Sequence, residues 1–186
     1  MRVVVLGGGY AGLVVATKLE NMLGDADDLM VIDKTGTHLL LHELHRIIRY
    51  PQYTDLIEFK LDELLTESTT VVTDEVDNID TASQEISLKA GNTIQYDYCA
   101  ICLGSQPDYY GLQHVEQYSV PVNTIQNIET IRDSIDEIIE NQGNDIIIGG
   151  GGLSGIQVAG EIQALFNTKE INIPVHLLEQ QSNIAP

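Results

Sequence analysis

Basic residues are scarce in this chain, and their scarcity excludes one class of function. The 186 residues include 9 Lys and Arg against 28 Asp and Glu, which gives a formal net charge of −19. Each contact with a nucleic-acid phosphate needs a protein cation to replace a released counterion, so this surface repels DNA and RNA. We therefore exclude a nucleic-acid-binding protein. The acids are scattered without calcium-loop spacing, a pattern typical of a halophilic protein in which salt screens like charges.

Long apolar runs and cysteines are also rare. No stretch of about 20 apolar residues occurs, so we expect no membrane-spanning helix. Cys99 and Cys102 form a CxxC string within an apolar run that reads as a strand, where positions three apart face opposite sides. We expect buried, inert thiols there instead of a redox pair. We expect no zinc site, since no second pair of ligands has the required spacing.

A glycine-rich turn lies near the start of the chain, between an apolar strand and a helical pattern. Residues 2–6 read as a buried strand, and the string GGGYAG follows at once and leads into the helix. In a GxGxxG turn, Gly7 permits the tight bend, Gly9 lets the backbone approach a pyrophosphate, and Gly12 lets the helix pack closely. The phosphates then meet free N–H groups at the positive end of the helix dipole.

An acidic residue at the expected distance strengthens this interpretation. A second apolar strand, residues 29–33, ends at Asp33, which lies 21 residues after Gly12. A carboxylate about 20 residues beyond the last glycine binds the ribose hydroxyls of a dinucleotide in such folds. Strand, turn, helix and acid in register therefore predict a dinucleotide site.

The same arrangement recurs later in the chain. Residues 145–149 form an apolar strand, and the string GGGLSG places Gly150, Gly152 and Gly155 at the three required positions. The next apolar strand ends at Glu179, 24 residues after Gly155. A glutamate there accepts hydrogen bonds from both ribose hydroxyls and repels a 2′-phosphate, which favours NADH over NADPH.

Two helical segments lie near the second motif. Isoleucines at helical spacing predict a helix over residues 123–141, capped by Asn123 or Thr124. Gly160 lies inside the helix that follows the second motif, where glycine costs about 1 kcal/mol against alanine. Either close helix packing requires this glycine, or it opens space beside Glu161 for a cofactor ring.

Residues 37–50 combine three histidines with two arginines at spacings of three and four. These spacings predict one helical face, and neighbouring leucines favour a helix packed on the core. Metal binding is the less favoured alternative, because the HELH string lacks the histidine separation of the HExxH zinc motif. The residues concerned are His38, His42, His45, Arg46 and Arg49.

Two strings resemble one flavoprotein family. With two fingerprints about 140 residues apart, the chain resembles the FAD-dependent pyridine nucleotide oxidoreductases that carry two dinucleotide-binding domains. Within them, YDYCAICLGSQPDYYGLQHVEQY (residues 96–118) and GLSGIQVAGEI (residues 152–162) resemble the type II NADH dehydrogenases, with Gln157 replacing a more usual acid. The resemblance implies an α/β fold, with a Rossmann-like FAD-binding domain over 1–115 and the first part of a Rossmann-like NAD-binding domain over 116–186.

The resemblance also implies roles for individual residues. Val76 would contact adenine through its backbone, Gly104 would approach the flavin, and Glu161 would lie near the nicotinamide as the candidate catalytic residue. The implied FAD-binding residues are Gly7, Gly8, Gly9, Tyr10, Ala11, Gly12, Asp33, Lys34, Val76, Leu103 and Gly104. The implied NADH-binding residues are Gly150, Gly152, Leu153, Ser154, Gly155 and Glu179.

The implied reaction is hydride transfer from NADH to FAD, followed by electron transfer to a quinone or another acceptor. Disulfide reductases of this superfamily carry a CxxxxC pair after the second strand, whereas residues 38–49 contain no thiol, so a dithiol relay is not expected. A sulfide:quinone reductase and a ferredoxin reductase, which have the same architecture, are alternative enzymes. A non-catalytic dinucleotide-binding module is the alternative from another functional class.

Length is the main departure from the family pattern. Only 37 residues remain from Gly150 to the end, too few for a complete second domain, so we expect an N-terminal portion without quinone reductase activity. Without the rest of the FAD domain the chain should bind FAD weakly, and unpaired sheet edges would favour self-association into a homo-oligomer. We expect a cytoplasmic chain whose parent contacts the inner membrane face only through a missing C-terminal part.

Overall fold

The computed structural model describes residues 1–109, 111–112, 114–141, 143 and 145–184. It consists of two compact units, each built from two segments of the chain. The first unit comprises Met1–Leu39 and Glu58–Gln106, and the second comprises Leu40–Ile57 and Pro107–Pro186. The α/β class expected from the sequence is confirmed. The domains 1–115 and 116–186 are defined by the ligand that each would bind, and they stay a prediction.

The first unit combines nine strands with two helices in its described residues, and a small antiparallel sheet precedes its last strand. Its elements in the described residues are β1 (Arg2–Leu6), α1 (Tyr10–Glu20), β2 (Asp28–Asp33), β3 (Thr37–Leu39), β4 (Glu58–Lys60), α2 (Leu61–Leu64), β5 (Thr69–Thr73), β6 (Val76–Asp80), β7 (Glu85–Leu88), β8 (Thr93–Gln95) and β9 (Tyr98–Ile101).

A four-stranded parallel sheet forms the centre of this unit. Its strand order is β5-β2-β1-β9, with Val5 of β1 opposite Val31 of β2 and Ala100 of β9. This is the first half of a doubly wound sheet, in which ligands bind beyond the carboxyl ends of the strands. The turn after β1 and the end of β2 therefore lie at the same edge.

The two faces of β1 pack against different layers, which explains why every residue after Arg2 is apolar. Val3 and Val5 face a cluster with Ala16 of α1 and Leu61 of α2. Val4 and Leu6 face the antiparallel sheet β6-β7-β8, including Ile86 and Leu88. Burial on both sides holds the end of β1, and so the glycine turn, in one place.

The second unit has its own α/β arrangement. Its described elements are two 3₁₀ helices (Leu41–Ile48 and Pro51–Leu56), α3 (Val115–Tyr118), α4 (Ile125–Glu140), β10 (Ile146–Gly149), α5 (Leu153–Lys169) and β11 (Val175–Leu178). β10 and β11 pair in parallel, joined through α5. Thr124 caps α4, since its hydroxyl accepts a hydrogen bond from the Asn127 N–H at 3.1 Å, and this confirms one of the two predicted caps.

Segment 40–57 departs from the sequence expectation. His38 lies in β3, and Leu41–Ile48 is a 3₁₀ helix, so the prediction of one helical face that carries all three histidines is wrong. The 3₁₀ helix buries Leu44, Ile47 and Ile48 and packs against α4 and α5. Pairing of β3 with β4 takes Thr37–Leu39 out of the helical pattern.

Candidate dinucleotide-binding sites

The first glycine loop has the geometry that its motif predicts. Gly7 has a φ of +96°, and its N–H donates to the Ile32 carbonyl at 2.7 Å, which ties the turn to β2. A Cβ on Gly12 would lie 1.7 Å from the Gly7 carbonyl oxygen, so only glycine lets α1 approach the loop this closely. A Cβ on Gly9 would meet no atom within 4 Å, so open space lies beside the backbone expected to approach a phosphate.

Asp33 links the end of β2 to this loop. Its Oδ2 accepts a hydrogen bond from the Gly8 N–H at 2.7 Å. Its Oδ1 accepts from the Thr35 N–H and hydroxyl, each at 2.8 Å, and from the Gly36 N–H at 3.0 Å. Burial acts to raise the Asp33 pKa, but the hydrogen bonds from Gly8, Thr35 and Gly36 outweigh it, so the pKa is lowered. The carboxylate therefore stays ionised, as an acceptor for ribose hydroxyls must.

The lowered pKa of Asp33 should make the stability of the fold depend on pH in the acid range. Because the Asp33 pKa is lowered in the folded chain, its ionised form stabilises the fold above the ordinary value near 4, and that contribution is lost as the pH falls through the folded-state pKa. We expect Asp33→Asn to be less stable than wild type at pH 7, on the order of 1–3 kcal/mol, with the difference shrinking below about pH 4. Urea unfolding at several pH values measures both effects. Asp77→Asn, at an exposed position of β6, is the matched control, and a pH-independent deficit for Asp33→Asn would contradict the prediction.

The second glycine loop repeats the first. Gly150 has a φ of +103°, and a Cβ on Gly155 would lie 2.0 Å from the Gly150 carbonyl oxygen. A Cβ on Gly152 would again meet no atom within 4 Å. Glu179 follows β11, and its Oε2 accepts a hydrogen bond from the Gly151 N–H at 2.6 Å, just as Asp33 accepts from Gly8. Hydrogen bonds from the Gln181 and Gly151 N–H groups lower the Glu179 pKa.

Both loops leave the start of their helix without a protein cap. Gly9 is the N-cap of α1 and Gly152 that of α5; neither helix has a side-chain cap hydrogen bond or an acidic residue in its first turn. The chain has 28 acids, so their absence from both first turns leaves the N–H groups and the dipole facing an outside acceptor. The residues present therefore fit an anionic group such as a pyrophosphate at each loop.

The remaining predicted cofactor residues lie in the first turns of the two helices, beside Asp33, at the start of β6 and after β9. Tyr10, Ala11, Leu153 and Ser154 occupy the exposed first turns of α1 and α5. Lys34 is exposed next to Asp33, and Val76 begins β6, half-buried. Leu103 and Gly104 follow β9, and Gly104 has a φ of +77°. Their cofactor contacts stay predictions.

Glu161 has a charged partner that the sequence did not indicate. It lies on α5, and Arg49 Nη1 lies 3.3 Å from its Oε2. Oε2 is buried and makes no hydrogen bond within the described residues, so the contact with Arg49 is electrostatic and leaves an acceptor free. The predicted catalytic role of Glu161 is untested. Beside it, a Cβ on Gly160 would meet no atom within 4 Å, so close helix packing does not explain that glycine.

His38, predicted from the sequence to lie on a helical face with metal binding as the less favoured alternative, contacts the first glycine loop. Its ring is buried, with 5% exposure, and its Nδ1 lies 2.9 Å from the Gly8 carbonyl oxygen. No pattern in the sequence indicates this contact, because it joins residues 30 positions apart. Within the described residues, no three His, Cys, Asp or Glu side chains are grouped to hold a metal ion.

The two cysteines behave as a strand position predicts, with one difference. Cys99 packs with the cluster on one face of the parallel sheet and Cys102 with the cluster on the other, and both thiols are free. They are half-buried instead of fully buried. Burial raises the pKa of the Cys99 thiol, which disfavours the reactive thiolate. In the described part of the chain, no helix is both long and apolar enough to cross a bilayer.

Comparisons with known proteins agree with this geometry. The type II NADH:quinone oxidoreductase of Staphylococcus haemolyticus is 27% identical over 173 residues, which cover 87% of this chain and 42% of that protein. The NDH2 structure from Plasmodium falciparum in complex with NADH has a TM-score of 0.86 at 17% identity, covering 100% of this chain and 43% of that one. The sulfide:quinone oxidoreductase of Aquifex aeolicus has a TM-score of 0.78 at 19% identity, covering 94% and 41%.

The structural likenesses concern the fold, since both identities are low. The chain spans about two fifths of the length of the curated relatives it matches. The family model described as pyridine nucleotide-disulphide oxidoreductase matches residues 1–186, the whole chain. This chain belongs to the pyridine nucleotide-disulphide oxidoreductase family.

Proposed function

We propose that this chain carries the two nucleotide sites of an NADH-oxidising flavoenzyme, with FAD at the first loop and NADH at the second. The observation that carries the proposal is the repetition of one arrangement. In the two loops, open space lies beside Gly9 and Gly152, and the helix start lacks a side-chain cap. A carboxylate at or just after the end of the next strand accepts a hydrogen bond from a loop N–H. Phosphates are complementary to the uncapped helix starts, and ribose hydroxyls are complementary to the carboxylates.

The residues of the chain bind and orient; they do not carry the electrons. Bound FAD would supply the hydride-accepting and electron-transfer chemistry. The N–H groups at the starts of α1 and α5 would bind the two pyrophosphates. Asp33 and Glu179 would accept hydrogen bonds from the riboses, and the negative charge of Glu179 would disfavour a 2′-phosphate. Glu161, paired with Arg49, would lie near the nicotinamide.

We propose a quinone as the electron acceptor of the whole protein. The support is that the curated relatives are named type II NADH:quinone oxidoreductases. Cys99 and Cys102 have the wrong spacing for the CxxxxC relay of disulfide reductases, which argues against a disulfide acceptor. A sulfide:quinone reductase is the second candidate, favoured by the fold likeness to the Aquifex aeolicus enzyme. Absence of quinone turnover by this chain alone stays a prediction.

An absorbance titration of the purified chain tests the proposal. We expect the chain in high salt to take up added FAD, and we expect the flavin bands to bleach when NADH is added without oxygen. Because Glu179 would repel the 2′-phosphate, NADPH should bind at least about tenfold more weakly than NADH, the scale of one repelled charge. Free FAD at the same concentration is the control for reduction without protein.

Three outcomes of this titration are informative. Bleaching by sulfide and not by NADH would favour the second candidate. Binding of NADH by a chain that takes up no FAD would contradict the flavoenzyme and favour a non-catalytic nucleotide-binding module. Equal bleaching by NADPH and NADH would contradict the role of Glu179.

A further inference from the structure

His38 contacts the first glycine loop from the interior of the first unit. Its ring has 5% exposure on β3, and Nδ1 lies 2.9 Å from the Gly8 carbonyl oxygen. The ring also meets Tyr10 edge to face, with centroids 5.0 Å apart and planes at 86°. A buried histidine ring fixed by two contacts has little freedom to turn, so its hydrogen bond holds the loop in one position.

The chemistry of the two atoms sets the direction of the hydrogen bond. A carbonyl oxygen only accepts, so Nδ1 of His38 must carry the proton and donate. In a neutral ring, this leaves Nε2 unprotonated. The contact therefore requires one tautomer, and the tautomer can be measured.

Gly8 is thereby held on both sides. Its N–H donates to Asp33 Oδ2 at 2.7 Å, and its carbonyl accepts from His38. The peptide that joins Gly8 to Gly9 is planar and trans, so its N–H points opposite to its carbonyl. Fixing the Gly8 carbonyl toward His38 therefore fixes the Gly9 N–H in the direction away from the ring.

The Gly9 N–H has no partner within the described residues, and open space lies beside Gly9. We propose that His38 is a positioning residue that holds the Gly9 N–H toward a phosphate of bound FAD. This inference rests on the proposed function. Glycine-rich backbone is conformationally free, and a bond made before binding removes part of the ordering entropy that the ligand would otherwise oppose.

The second loop provides a comparison within the same chain. Glu179 holds the Gly151 N–H at 2.6 Å, but within the described residues no side chain donates to the Gly151 carbonyl. The histidine contact is therefore specific to the first loop. Substitutions at His38 should change FAD binding and leave NADH binding unchanged.

Two substitutions, His38→Asn and His38→Gln, test whether the loop needs a donor at the position of Nδ1 or only a polar side chain. Asparagine bonds its amide nitrogen to Cγ, as Nδ1 is bonded, whereas glutamine bonds its nitrogen to Cδ, as Nε2 is bonded. We expect His38→Gln to bind FAD at least about tenfold more weakly than wild type, the scale of one lost hydrogen bond. His38→Asn should restore affinity to within about threefold of wild type. A purely structural role would not distinguish these two variants by which nitrogen they supply.

The experiment measures FAD dissociation constants by fluorescence quenching for the wild-type chain and both variants, with NADH affinity as the internal control. In wild type, long-range ¹H–¹⁵N spectra should show His38 protonated at Nδ1 near pH 8. Equal FAD affinities in all three proteins, or protonation at Nε2 in wild type, would overturn this inference alone. Absence of FAD binding by wild type would overturn the proposed function and this inference with it.

Discussion

Replacing Gly9 by aspartate is expected to abolish FAD binding while leaving the first unit folded. Gly9 is the N-cap of α1 with φ −68° and ψ −169°, a conformation open to any residue, and an added Cβ meets nothing within 4 Å. Aspartate is among the favoured N-cap residues and is stabilised by the helix dipole. Its carboxylate would occupy the phosphate position and repel it by several kcal/mol, so FAD affinity should fall on the order of 100-fold or more.

The repetition of the loop supplies a matched control. Gly152 is the N-cap of α5 with φ −72° and ψ 177°, and it has the same open space. We expect Gly152→Asp to lose NADH binding and keep FAD binding, and Gly9→Asp to do the reverse. Urea unfolding should show both variants at least as stable as wild type. Unchanged FAD affinity in Gly9→Asp would show that the first loop does not bind the phosphates.

Replacing Gly12 by alanine should unfold or severely destabilise the first unit. Helix propensity alone predicts a gain of about 1 kcal/mol from this change. The structure predicts the opposite, because the new Cβ would lie 1.7 Å from the Gly7 carbonyl oxygen, a backbone atom with no room to move. Separating α1 from the loop would break the packing of both, which we expect to cost on the order of 3–5 kcal/mol.

Urea unfolding followed by circular dichroism measures this loss, and FAD retention should disappear with it. Gly24→Ala is the matched control, because its Cβ would meet only the Asp27 carboxylate at 3.9 Å, an ordinary contact. Gly155→Ala should destabilise the second unit in the same way, since its Cβ would lie 2.0 Å from the Gly150 carbonyl oxygen. A Gly12→Ala chain as stable as wild type would contradict the packing argument.

The parts of the site that depend on local sequence were predictable. Residues 2–6 form the predicted strand, and α1 follows the predicted turn. Each of these features depends on neighbours within a few positions of the chain. They are the run of buried β-branched residues, the turn that needs positive φ at Gly7, and the start of the helix. Asp33 was predictable for a related reason, because it ends the next strand and parallel strands bring their ends to one edge.

Contacts between distant positions were not predictable. His38 reads in the sequence as part of a histidine-rich helix, but pairing of β3 with β4 places it in a strand behind the glycine loop. The apolar side chains of segment 40–57 pack within the second unit, against helices that lie far along the chain. Arg49 thereby reaches Glu161, 112 positions away, and no periodicity within either segment records that meeting.

The amino-acid sequence by itself determined the fold class, both glycine loops and the two carboxylates, because backbone sterics and hydrophobic period act over short distances. Only the tertiary structure decided what holds those loops in place and which residue pairs with Glu161. Three kinds of contact depend on where the fold brings remote residues together. They are the hydrogen bond from His38 to Gly8, the hydrogen bonds that Asp33 and Glu179 accept from loop N–H groups, and the ion pair of Arg49 with Glu161. Such contacts depend on the distance and orientation of two side chains in space, and the order of residues along the chain gives neither quantity.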